Sequence, residues 1–96
     1  MKKFEVCIRG KNFLINIDGQ FRKREFYAVR CVEADDTSIA LDIVMGGIKS
    51  ELNDVVLNEK NDPPKVNVED IYEVYYFQDT LEYKGKRILP QGFVWE

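Results

Sequence analysis

Ninety-six residues with 45% hydrophobic content suffice for one domain spanning 1–96 with a single modest core. No run of eighteen apolar residues occurs, which excludes a membrane-spanning helix, and the absence of histidine removes the commonest general base and metal ligand. The net charge of −3 is unevenly placed. Residues 1–30 carry eight Lys/Arg against three acids and residues 31–82 three lysines against thirteen acids, so one basic and one acidic surface are expected.

The opening "MKKFEVCIRG" reaches Glu5 and Arg9 too early for an export signal. Cys7 and Cys31 form no C-x-x-C pair, so a cytosolic chain with reduced thiols in or near its core is expected. A zinc site would need both cysteines plus carboxylates, an uncommon set. No cofactor is expected, and catalysis is disfavoured.

Along the chain, "FEVCI" alternates with Phe4, Val6 and Ile8 on one face, and "NFLINI" alternates with Phe13, Ile15 and Ile17. Gly10-Lys11 between them suits a type II′ hairpin turn. That loop sets Ile8 opposite Phe13, Val6 opposite Ile15 and Phe4 opposite Ile17, so every core residue faces another. Asp18-Gly19 fails the same test, since it sets Ile17 against Gln20 and Ile15 against Arg22. "DGQFRKRE" is therefore expected as a solvated arm or wide loop, with regular strand resuming at Phe26. In "FYAVRCVEA" the buried face stays open between Phe26, Ala28 and Val32 on one side and Tyr27, Val29 and Cys31 on the other. Arg30 favours the second set, and a bulge could reconcile them.

Asp35-Asp36-Thr37 supplies a helix N-cap. Leu41, Val44, Met45, Ile48, Leu52 and Val55 then recur at three- and four-residue spacing. Asn53 to Pro64 ends the helix, its double proline forbidding resumption. "KVNVEDIYEVYYF" reads as a long strand bulged near Glu69-Asp70. Turn signals follow at Lys84-Gly85-Lys86 and Pro90-Gln91-Gly92. The expected fold is α+β, a two-layer sandwich of one main helix on a mostly antiparallel four- or five-stranded sheet (β-β-β-α-β-tail). Its order is 3-2-1-4, with the fourth strand beside the first and parallel to it.

Three surfaces emerge as candidate binding sites. Arg22, Lys23 and Arg24 could follow a phosphate backbone or an acidic protein surface, or simply solubilise a hairpin tip. Ile39, Ile43, Gly46 and Gly47 lie opposite the buried helix stripe. They form a partner or self-association face permitting close approach, a local kink, or a strip covered by the C-terminal tail. "GGIKS" is no phosphate loop, because Ile48 separates the glycines from Lys49-Ser50. In "IYEVYYF" the open side is either Ile71, Tyr75 and Phe77 or Tyr72, Val74 and Tyr76, and tyrosine is favoured at interfaces. Cys7 lacks a histidine to activate it, and "LNEKNDPP" lacks the glycine and final glutamate of a calcium loop.

The segments "KNFLINIDGQ", "FYAVRCVEADD", "VLNEKNDPP" and "QGFVWE" resemble a set of small bacterial α+β proteins, most without an assigned activity. The resemblance implies the fold above and a bacterial or phage origin, and it lends no catalytic residue. The expected function is a non-enzymatic binding or regulatory protein of inhibitor, regulator or immunity type. Its partner would be another protein or a second copy rather than a membrane. The alternative is a nucleic-acid-associated protein using the basic arm.

Overall fold

The computed structural model describes residues 1–89 and 91–96. Its elements are β1 (Lys2–Ile17), β2 (Gln20–Ala34), α1 (Thr37–Leu52), β3 (Lys65–Val74), β4 (Leu81–Tyr83), β5 (Lys86–Ile88) and β6 (Val94–Trp95). The main sheet has the order β3-β1-β2-β6 with every neighbour antiparallel. α1 covers one face, while the separate β4–β5 hairpin packs on the other against Cys7, Tyr27 and Val29. The α+β architecture with a single main helix is therefore present, with a small hairpin added behind the sheet.

The expected hairpin at Gly10-Lys11 does not form. β1 runs straight through it, and the register against β2 steps from Gly10↔Phe26 to Phe13↔Arg24. Three residues advance on β1 for two on β2, which is a β-bulge. Asn12 takes the left-handed conformation there (φ 61°), one that asparagine tolerates better than most side chains. The extra residue reverses the alternation, so Phe4, Val6 and Ile8 before it share the helix-facing side with Phe13, Ile15 and Ile17 after it. The shared face was inferred correctly, but a bulge rather than a turn creates it.

The turn falls instead at Asp18-Gly19, both with positive φ (53° and 80°), as a two-residue I′ hairpin requires. Ile17 pairs with Gln20 and Ile15 with Arg22, so the expected wide loop is a paired ribbon. The polar partners are tolerated because Ile15 finds its apolar cover elsewhere, in the cluster with Leu52 and Val56. Merging two expected strands into one also inverts the sense of every later element. β3 does lie beside the first strand, but antiparallel to it.

The strand from Phe26 needs no bulge, because both of its faces are covered. Phe26 and Ala28 face α1, whereas Tyr27, Val29 and Cys31 face the β4–β5 hairpin. Arg30, 4% exposed, belongs to the helix side. It donates to the Gly92 carbonyl at 2.8 Å, lies 4.7 Å from the Phe93 ring centroid and stands 3.6 Å from Glu51. The arginine thus pins the C-terminal segment to β2 and α1. Phe93 and Trp95 complete an edge-to-face cluster with Phe26.

α1 starts where Asp36 accepts the Ile39 amide at 2.9 Å and ends at Leu52. Its buried residues are Ala40, Val44, Ile48 and Leu52, with Leu41 and Met45 half-buried. Val55 lies beyond the helix and is exposed. Burying a side chain the size of Val44, Ile48 or Leu52 contributes about 1.5–3 kcal/mol. Beyond the helix, Asn58 continues the sheet edge past the first residue of β3. It accepts from Leu14 N–H at 2.7 Å and donates to the Asn12 carbonyl at 2.7 Å. The β3 bulge falls at Glu69 as expected, where Cys7↔Asp70 gives way to Ile8↔Val68. Pro90 of the expected Pro90-Gln91-Gly92 turn lies outside the described residues, and the Gly92 amide bonds the Leu89 carbonyl at 2.9 Å.

Candidate functional site

Strand alternation separates the three cations of the arm. Arg22 and Arg24 share the side of Phe26 and α1, and Lys23 points to the opposite side. Lys23 is ion-paired with Asp62, which also accepts from Asn12 at 2.8 Å. These bonds hold the Asp62 carboxyl below its usual range. The arm therefore offers no single row of cations.

On α1, Ile39 and Ile43 are about half exposed, and a Cβ on Gly46 or Gly47 would meet nothing within 4 Å. The glycines are helical as expected. Val94 and Trp95 of the C-terminal segment lie on the β2 edge through Phe26↔Trp95 and Tyr27↔Val94, while Gln91 borders a shallow depression beside Ile43 and Gly47. Among the described residues, none approaches either glycine closely enough to explain the pair.

The tyrosine-rich segment divides at Val74, where β3 ends, three residues before the expected end at Phe77. Ile71 packs toward α1, so Tyr72 and Val74 are on the other side, and Tyr76 lies beyond the strand. Tyr75 leaves the ladder and is 99% exposed, with Tyr76 at 67%. Phe77 is half-buried, and the Lys3 ammonium stands 5.9 Å from its ring centroid.

Between the end of β3, the segment that follows it and the β4–β5 hairpin lies a cleft of about 680 Å³. Tyr72, Tyr75 and Tyr76 border it, Val29 and Leu81 supply apolar wall, and Glu5, Glu73 and Glu82 face the single cation Arg87 among its described lining. Glu5 is the buried member, 6% exposed. It sits across the ladders from Cys31 and Tyr72. A hydrogen bond to the Glu5 carboxylate, and then burial, raise the Tyr72 phenol above its usual range.

The wall of the cleft is held by the β3 bulge. Glu69 accepts from the Tyr83 hydroxyl and lies 3.4 Å from Lys84 Nζ, so the bulged residue ties the hairpin to the sheet. These contacts, the Tyr83 bond first, keep Glu69 below the usual carboxylate range. Cys7 lies behind this wall. Burial, followed by the charges of Asp70, Glu5 and Glu69, pushes its thiol up to about 11, the opposite of what a nucleophile needs.

Among the described residues no group of three or more Cys, Asp or Glu is placed to hold a metal, and no helix is long and apolar enough to cross a membrane. The sequence pointed to Tyr75 but missed Glu5. An acid at that position of an alternating strand reads as solvent-facing, and only the fold sets it beside Tyr72 in a cleft shared with a hairpin more than seventy residues later. No family model matches the chain, and no characterised protein or solved structure is significantly similar to it.

Proposed function

We propose that this chain is a non-catalytic binding protein, of the inhibitor, regulator or immunity type, that engages another protein through the tyrosine-bordered cleft. The observation that carries it is the exposure of Tyr75 and Tyr76 beside a cleft of about 680 Å³. Tyrosine presents a large amphipathic surface with little rotamer entropy to lose, and it is enriched at interfaces for that reason. Folding leaves these rings in water, so their apolar area is free to be buried against a partner.

The division of Arg22, Lys23 and Arg24 between two faces makes nucleic-acid binding the weaker reading. A phosphate-tracking arm would present its cations together.

The test is capture from the native host with three baits: the parent chain, the Tyr75→Ala/Tyr76→Ala double variant and the Ile39→Ser/Ile43→Ser double variant. A partner held by the parent and the helix variant but lost by the tyrosine variant is expected. A partner lost only by the helix variant would move the interface to α1. Release that follows a steep logarithmic salt slope, with nuclease sensitivity, would indicate nucleic acid.

A further inference from the structure

Glu5 is buried with a hydrogen bond from Tyr72 but without a cation. It is the fourth residue of β1 and 6% exposed, and none of the ion pairs among the described residues involves it. A carboxylate taken out of water without a cation is costly. A neutral side chain there would pack at no such cost. The acid opens onto the cleft, and the cleft is net negative, with Glu73 and Glu82 set against Arg87.

We propose that the cleft is a seat for one arginine side chain of the partner protein, with Glu5 as its counter-ion and Tyr72, Tyr75 and Tyr76 as the aromatic border. A guanidinium matches a carboxylate with a two-pronged hydrogen-bond fork. It also stacks on aromatic faces and sheds water more readily than an ammonium. A cleft of this volume is in the range that holds a side chain with its flanking backbone. The adjoining segment already accepts a cation within the chain, where Lys3 approaches the Phe77 ring while paired to Glu33. Arg87 supplies the opposing charge on the rim.

This inference rests on the cleft being the partner surface, and the two fail separately. The probe is N-acetyl-arginine methylamide, titrated into the full chain and followed by backbone amide shifts. Its neutral isostere, N-acetyl-citrulline methylamide, is the control. Saturable shifts at Glu5, Tyr72, Tyr75 and Tyr76 are expected with the arginine probe, at least tenfold weaker with citrulline and absent in Glu5→Gln. Glu5→Gln should melt close to the parent temperature, because the amide oxygen can still accept from the Tyr72 hydroxyl, so misfolding would not explain its loss of binding. Arg87→Ala should bind the probe at least as tightly as the parent. Equal binding by Glu5→Gln, or equal binding of citrulline, overturns the arginine seat. If Glu5→Gln keeps the captured partner while the tyrosine variant loses it, the arginine seat falls and the surface stands. If both variants keep it, the surface falls as well.

Discussion

The ring of Phe26 lies directly over the backbone of Gly10, occupying the space where a Cβ would stand. The two residues are cross-strand partners at the last regular pair before the β1 bulge. Phe26 is fully buried there, with Phe13, Phe93 and Trp95 edge-on around it. Gly10 is thus a packing requirement rather than a turn signal.

Gly10→Ala should therefore be among the most damaging methyl additions in the chain. Overpacking of this kind costs about 1–3 kcal/mol, and displacing Phe26 disturbs four aromatic rings together. Chemical denaturation should show a lower midpoint with altered Trp95 fluorescence. A midpoint equal to the parent would mean the ring can move aside freely.

The helical glycines should behave oppositely. Among the described residues nothing lies near a Cβ at Gly46 or Gly47, so alanine removes a propensity defect of about 0.5–1 kcal/mol at each. Both variants should melt higher at low protein concentration. If that gain disappears or reverses only as concentration rises, a second copy packs on Ile39, Ile43 and the glycines.

The basic arm should be ordered in solution. Amides within Gln20–Arg24 should exchange more slowly than those of residues 75–80, because the former sit in the ladder opposite Phe13–Ile17. Gly19→Ala places a Cβ at φ 80° and should cost about 1–2 kcal/mol. Fast exchange through Arg22–Arg24 would show the ribbon to be open.

The buried thiol gives a pH signature. Cys7 titrates at about 11 in the fold against 9.0 when unperturbed, so the folded chain keeps a proton that the unfolded chain releases. The resulting stability is complete below about pH 9 and is lost as pH rises toward 11. Cys7→Ala should lower stability at neutral pH yet flatten its decline between those values relative to the parent. Thiol reagents should label Cys7 slowly in the native state at pH 8. Rapid labelling would mean that the β4–β5 hairpin opens readily.

The sequence alone determined the features that depend on residues close together in the chain. Asp36 as N-cap, the helix through Gly46-Gly47, its end before Pro63-Pro64, the bulge at Glu69 and the shared face of Phe4, Val6, Ile8, Phe13, Ile15 and Ile17 all follow from local periodicity and backbone preference. Only the tertiary structure decided whether Gly10-Lys11 was a turn or a bulge. Both keep the same residues on one face, and the choice lies with Phe26, sixteen residues away, whose ring needs the space over Gly10. That one choice set the sense of β3, the pairing of Arg22 with Ile15 and the order of the arm. Glu5 was hidden for the same reason. It sits beside Tyr72 across the ladder and shares a cleft with the hairpin at 81–88, and alternation along a strand carries no record of what a distant segment will bring near.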